Sequence, residues 1–271
     1  MHRIVATFTL VLATSAPAFA NWSVMAVDRR TGTIVVASAA CVAQRAFAPL
    51  GAKGLMDIQT IVVPGTAVAV AQGDFDSTRV SQKLIYQEIG KGTDPETVLF
   101  MLRQDPEFGM RQVAILDVEG HHVAFSGPGT RAVSEDAHGQ VPGTTVWYSV
   151  QGNTLANSEV VPGAVQALTE YHADLADRVM AAMEAADAKG GDNRCSCASE
   201  PKVNAPCEAK TAQVAYMLRA EKNDSNRTSF NDGNYAMYLS VSNDDIKPNE
   251  NANPVKTLRI RYDAWKRARP N

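Results

Sequence analysis

Along this chain, uninterrupted apolar runs give way to stretches in which apolar residues recur every three or four positions, and the two patterns predict different elements. Trp22 to Val27 and Ile34 to Ser38 are apolar without alternation, which predicts strands buried on both faces. Asp28-Arg29-Arg30-Thr31-Gly32-Thr33 between them predicts a hairpin connection, with Gly32 where positive φ is tolerated. Residues 40–60 are mixed, with Pro49 and two glycines, and predict a loop able to border a site. A second hairpin follows: Thr60 to Val63, a Pro64-Gly65 turn, then Thr66 to Gln72.

Helical spacing takes over at Val80, Leu84, Ile85 and Ile89, behind a cap at Asp76 or Ser77 and ahead of Gly90 and Gly92. Asp94-Pro95-Glu96 starts another helix, with Val98, Leu99 and Leu102 inward and Pro106 beyond its end. Strands return at Gln112 to Val118, a turn at Glu119-Gly120, and His122 to Gly127. A polar loop runs through His138, and Val146 to Asn153 is again strand-like. Ser158-Glu159 opens a helix through Val161, Val165 and Leu168; Asp174 opens the next through Leu175, Val179, Met180 and Met183, stopped by Gly190-Gly191. Beyond lie a cysteine-bearing loop (191–210), a segment from Thr211 to Ala220 that fits strand or helix, and a polar stretch from Lys222 to Asn234. Tyr235 to Val241 alternates as a half-buried strand, and Asn253-Pro254 opens a last helix with Leu258, Tyr262 and Trp265 on one face and a basic end that suits its dipole.

The order strands, two helices, strands, two helices predicts an α+β fold with mostly antiparallel sheets. Sheets apolar on both faces must be covered on both, and two sheets packed together with helix pairs outside meet that demand. No internal repeat is visible.

The first twenty residues follow another pattern. Met1-His2-Arg3 is a short basic start, Ile4 to Ser15 an apolar run, and Ala18-Phe19-Ala20 the small-x-small pattern that signal peptidase accepts. The run is too short to span a bilayer comfortably and no stop-transfer pattern follows. This predicts a cleaved secretory signal over residues 1–20, a new N-terminus at Asn21, and a periplasmic or secreted protein with no membrane partner after cleavage. The rest is long enough for one large domain, read as 21–200 with a C-terminal extension at 201–271 packing on it. Formal charge is −3, and Lys and Arg are scattered without a basic stripe, so no nucleic-acid partner is expected. Cys41, Cys195, Cys197 and Cys207 fit two disulfides in an exported protein, one disulfide with free thiols, or a metal. Cys195 and Cys197 are too close along the chain to bond each other without strain, so they take different partners.

Known catalytic signatures are missing: no phosphate loop, HExxH or GxSxG occurs. His121, His122, His138 and His172 have no metal-ligand spacing and read as surface residues, His121 and His122 on opposite faces of a strand. Asn223-Asp224-Ser225 and Asn226-Arg227-Thr228 match the glycosylation pattern but read as loop.

The order of motifs does resemble one family. Asn21-Trp22-Ser23-Val24-Met25-Ala26-Val27-Asp28, Ala37 to Val42, Arg111-Gln112-Val113, Asp117-Val118-Glu119-Gly120, Ser126-Gly127, Tyr148-Ser149-Val150-Gln151-Gly152-Asn153 and Gly190-Gly191-Asp192-Asn193-Arg194 are similar to the Ntn-hydrolase-like family catalogued as domain of unknown function 1028, over about residues 21 to 200. The resemblance implies a four-layer αββα sandwich with two mostly antiparallel sheets between helix layers. It implies a cofactor-free site in which the first mature residue attacks an amide and its own α-amine, titrating near 8, takes the proton. Paired sheets in that family also make a homodimer an expectation.

One departure matters. Members of the family commonly start Thr-Phe-Ser; here the triplet is Asn21-Trp22-Ser23, and an asparagine amide is no nucleophile. The remaining candidates are Ser23, which shares a strand face with Asn21, and Ser38 or Cys41, the latter if its thiol is free. Around them Asp28, Gln151, Gly152, Asn153, Asp192 and Arg194 are candidate binding residues: Gln151-Gly152-Asn153 offers a close-approach glycine and amide donors, Asp28 also suits a local turn, and Asp192 with Arg194 also suits a local ion pair. Two functions follow: hydrolysis of an amide or peptide-like bond in a small substrate, or a catalytically silent periplasmic protein that keeps the pocket for binding.

Overall fold

A computed structural model describes residues 21–269; the expected signal segment lies outside the described residues. Among the described residues, ten strands and six α-helices alternate in blocks, strands then helices, as the apolar pattern predicts for most of them. β1 (Asn21–Asp28), β2 (Thr33–Ala40), β3 (Thr60–Val63) and β4 (Ala67–Gly73) are followed by α2 (Val80–Gly90) and α3 (Pro95–Leu102), with a short α1 (Leu55–Gln59) before β3. β5 (Arg111–Asp117), β6 (His122–Ser126), β7 (Glu135–Gln140) and β8 (Val146–Asn153) lead to α4 (Val160–Glu170) and α5 (Leu175–Ala188). β9 (Val214–Ala220), β10 (Met237–Ser242) and α6 (Pro254–Arg267) complete the chain.

The strands form two sheets, one in the order β10-β9-β2-β1-β8-β7 and one in the order β3-β4-β5-β6. Every pairing is antiparallel. β1 and β2 are buried along almost their whole length because both faces are used. Trp22, Val24 and Ala26 point toward α4 and α5, among Val161, Leu168, Val179 and Met183. Met25 and Val27 point the other way, into an apolar layer shared with Val68, Val70 and Leu116 of the second sheet. The far face of that second sheet, Ile61, Ala69 and Ile115, meets Ile85 and Ile89 of α2 and Val98 and Leu102 of α3. The expectation of sheets covered on both faces follows from these layers.

Helix starts use the caps legible in the sequence. Asp94 accepts from Glu96 N with Pro95 in the first turn, Asp174 accepts from Asp177 N, and Asn253 accepts from Val255 N. α2 differs: Asp76 holds Ser81 N, but Arg79 occupies the cap position in a left-handed conformation, φ 59°. Gly191 shows why the helix stop there is a double glycine. Its φ is +48°, and a Cβ would lie 2.6 Å from the buried Trp22 ring.

Three segments depart from the pattern-based reading. Residues 40–60 contain α1 and two single turns of 3-10 helix, not only loop. The polar stretch read as a loop through His138 ends in an edge strand, β7, which includes His138 and whose residues alternate between half-buried and exposed without any apolar signal; its partner β8 supplies the pairing. The segment open to either assignment is a strand from Val214 onward, and with β10 it extends the larger sheet beyond β2. His121 lies in the turn before β6, its Nδ1 2.8 Å from Asp117 Oδ2, so it does not share a strand with His122. The half-buried His122 and the exposed His138 meet between the edges of the two sheets, their rings tilted with centroids 3.6 Å apart.

Both disulfides form, Cys41 with Cys195 and Cys197 with Cys207. That is the two-disulfide alternative, and it removes Cys41 from the catalytic candidates because its sulfur is bonded to Cys195 and is no free thiol. Disulfides suit an oxidising compartment. No helix among the described residues is long and apolar enough to cross a membrane.

Candidate functional site

The layer between the sheets is apolar except at one end, and that end begins with Asn21. Register places Asn21 opposite Asn153 of β8 and Ser23 opposite both Gln151 of β8 and Ser38 of β2. In-register neighbours share a face, so these side chains are grouped toward the second sheet. Facing them at the same end of that sheet are Gln72 of β4 and Gln112 of β5, themselves paired.

Amide groups join the two sheets through two hydrogen-bonded sets, one around Gln112 and one around Gln59. Ser23 Oγ donates to Gln72 Oε1 at 2.9 Å, and Gln72 Nε2 donates to Gln112 Oε1 at 2.6 Å. Asn153 Nδ2 donates to the same Gln112 oxygen at 3.1 Å, while Gln112 Nε2 reaches Gly152 O at 2.9 Å and Ser126 Oγ at 2.8 Å. Asn21 Nδ2 donates to Gln59 Oε1 on α1 at 2.6 Å, and Gln59 Nε2 donates to the Tyr216 hydroxyl at 3.0 Å. Thr60 Oγ1 makes a short hydrogen bond to that same hydroxyl. Burial pushes the Tyr216 hydroxyl far above its ordinary pKa despite its Gln59 and Thr60 partners, so it stays protonated. Gln151 Nε2 donates to Val70 O at 3.1 Å. Gly152 leaves no room for a side chain, since a Cβ would sit 2.6 Å from Leu155.

This network is neutral throughout. Ser38 Oγ donates to the Trp22 carbonyl at 2.7 Å. Neither Ser23 nor Ser38 hydrogen-bonds a carboxylate, imidazole or amine among the described residues. A hydroxyl held by an amide oxygen has no base to take its proton. Two acceptors in the network, Asn21 Oδ1 and Gln151 Oε1, are buried and have no hydrogen-bond partner among the described residues. Such oxygens suit N–H donors.

The other candidate residues divide. Asp192 is fully buried and adjoins this end: Oδ2 accepts from Cys41 N at 3.0 Å and from Arg194 Nη2 at 2.7 Å, and Oδ1 accepts from Arg194 Nε at 3.0 Å. It ties the disulfide-linked end of β2 to the loop after α5. Asp28 is not brought to the group. It closes the opposite end of β1, about 23 Å away at the usual strand rise, where it accepts from Thr145 Oγ1 and Arg30 N.

A cavity of about 590 Å³ opens beside the network, between the end of β4, α2 and α3. Phe75, Leu84 and Met101 give it an apolar wall, and Asp74, Asp76 and Arg111 a polar one. A narrow inner space of about 20 Å³ shares Asp74, Phe75 and Arg111 with it and reaches Gln72. Gln59, Gln72, Gln112 and Tyr216 were not singled out by sequence reasoning. The available signal was a glutamine at the end of each apolar run, at Gln72 after Ala71 and at Gln112 before Val113.

The family described as "Family of unknown function (DUF1028)" matches residues 21–226. Among solved structures, the crystal structure of protein SPO2555 from Silicibacter pomeroyi, itself described with DUF1028, is similar in fold: TM-score 0.63 and 19% identity over 91% of this chain and 89% of that one. No curated protein matches the sequence. With the match running from Asn21 at the start of β1 through β9 and into the polar loop beyond it, the chain belongs to the DUF1028 family of unknown function.

Proposed function

We propose that this protein is an exported binding member of its family, a four-layer αββα sandwich of Ntn-hydrolase type that holds a small amide or peptide-like ligand without cleaving it. The observation that carries this reading is the first position of β1. Where N-terminal nucleophile chemistry needs a hydroxyl or thiol stands Asn21, its amide already donated to Gln59. Ser23 lies two residues on, about 7 Å along the strand and beyond hydrogen-bond reach of an amine at Asn21. The open carbonyl oxygens of Asn21 and Gln151 suit a ligand's N–H groups, and the inner space of about 20 Å³, room for about one water, touches the network at Gln72.

The competing reading is amide hydrolysis by Ser23 with an Asn21 amine as base, drawn from their shared strand face. In the full chain the Asn21 nitrogen is a peptide amide; cleavage after Ala20 would turn it into an amine with a pKa near 8. One experiment separates the two. Processed wild type, Asn21→Thr and Ser23→Ala are assayed against a library of small amides and peptides for both turnover and saturable binding. Binding without turnover in wild type, with turnover appearing in Asn21→Thr, supports the binding reading. Turnover in wild type that vanishes in Ser23→Ala overturns it in favour of the hydrolase.

A further inference from the structure

The cavity of about 590 Å³ between the end of β4, α2 and α3 is large enough to take a whole small molecule, and its walls select which kind. Much of the lining is apolar. Leu102 is buried, and Phe75, Leu84 and Met101 are half-buried. Val80 adds an apolar side chain left 63% exposed at the start of α2. An apolar body laid over these side chains removes them from water.

The charge of the lining is one-sided. Asp74, Asp76, Asp105 and Glu107 stand against a single cation, Arg111. Arg111 is engaged: its Nε lies 3.1 Å from Asp105 Oδ2, and its Nη1 donates to the Asp74 carbonyl. Asp76 accepts from Thr78 N, Thr78 Oγ1 and Ser81 N. Burial pulls the Asp76 carboxyl pKa up, but those hydrogen bonds and the Arg111 charge leave it below its ordinary value, so it is ionised at neutral pH. Arg79 lies over the Phe75 ring, 4.6 Å from its centre, and shares its charge between Asp57 and Asp76. Even with Arg79 counted, two cations meet four acids of the lining. The carboxylates of Asp74 and Glu107 have no hydrogen bond or ion pair among the described residues.

These carboxylates are open to water, so no buried charge waits for a counter-ion; the selectivity lies in a negative wall joined to an apolar one. An anion would enter against the net charge of the lining. A bare metal ion would find no cluster of three His, Cys, Asp or Glu among the described residues and would leave the apolar wall wet. A neutral apolar molecule would displace water from the carboxylates without pairing them. An apolar body that carries one ammonium meets both walls, its three N–H donors matching carboxylate oxygens.

We propose that this cavity binds a small organic cation, an apolar body bearing one primary ammonium, with the body against Phe75, Leu84 and Met101 and the ammonium paired with Asp74. The cavity meets the amide network at Gln72 through the inner space with room for about one water, so the two sites are separate and this one stands whether the protein binds or hydrolyses amides.

Isothermal titration of the purified protein tests it with three probes of similar shape: 2-phenylethylamine, the neutral 2-phenylethanol and the anionic 3-phenylpropionate. Sodium chloride at about 0.15 M screens loose surface attraction. Wild type should bind the amine saturably and at least about tenfold more tightly than the alcohol, the worth of one charge-assisted hydrogen bond, with no binding of the carboxylate. Asp74→Asn, which removes a charge that no other residue uses, should bring the amine close to the affinity of the alcohol. Leu84→Ala should weaken amine and alcohol alike, by several-fold, through lost apolar contact. Absence of saturable amine binding overturns the proposal, as does equal affinity for amine and alcohol in wild type, or wild-type amine affinity in Asp74→Asn with an unchanged circular dichroism spectrum. Should Asp74→Asn fail to fold, Glu107→Gln decides: a several-fold loss of amine affinity supports the site and an unchanged affinity overturns it.

Discussion

Ser23 and Gln72 connect the two sheets through a 2.9 Å hydrogen bond from Oγ to Oε1, both side chains buried. Gln72 in turn donates to Gln112, so the bond is one link in a chain and not an isolated pair. Ser23→Ala leaves a buried amide oxygen without a donor and should cost about 1–3 kcal/mol of stability in urea unfolding. Combining it with Gln72→Leu should cost less than the sum of the single changes, with a coupling of about 1 kcal/mol. Strict additivity would show that the link carries no stability of its own.

The two disulfides should differ in worth. Cys41–Cys195 closes a loop of separation 154 and Cys197–Cys207 one of separation 10. Loop-closure entropy assigns about 5 kcal/mol to the first and about 3 kcal/mol to the second. Unfolding midpoints of the paired Ser variants, measured in guanidinium, should rank Cys41→Ser/Cys195→Ser as clearly the less stable.

Asp187 predicts a pH slope. Burial pushes its carboxyl pKa up, outweighing hydrogen bonds from Thr211 and Asn253. Above the ordinary aspartate range the native state therefore holds a proton that the unfolded chain has lost, and stability falls as pH rises until the raised folded value is passed. Asp187→Asn keeps an oxygen for Thr211 and Asn253, so the variant should show a flatter stability profile upward from the ordinary aspartate value of about 4 and equal or greater stability at the upper end. An unchanged slope in urea titrations across that range would rule Asp187 out as its source.

Gly191 should tolerate no side chain. Added carbon at this site meets the fully buried Trp22 ring and Thr211, neither of which has space to retreat. Gly191→Ala should lower stability by about 3 kcal/mol, while Gly143→Ala, at φ +71° with nothing within 4 Å, should lose only about 1 kcal/mol of backbone preference. Thermal unfolding of the two variants side by side separates crowding from backbone strain.

The apolar runs of β1 and β2 revealed burial on both faces, and the caps at Asp94, Asp174 and Asn253 placed three helix starts. Ser23 and Asn21 were legible as neighbours because strand alternation alone puts them on one face. Their partners were not, because Gln59, Gln72 and Gln112 reach them only through pairing between distant segments. β7 escaped notice because an edge strand with few apolar residues borrows its order from β8. Cys41 was a candidate only if its thiol were free, which its bond to Cys195 excludes, and Asp28 serves the local turn that its place at the end of β1 already suggested.

The central position of β1 also sets the schedule of folding. Its two flanking neighbours are β2, made at once, and β8, which follows only after the whole second sheet has been synthesised. A chain delivered from its N-terminus must therefore keep an almost wholly apolar ribbon unpaired on one edge while most of the protein is still emerging, and that exposed edge is where a holding chaperone would find its grip.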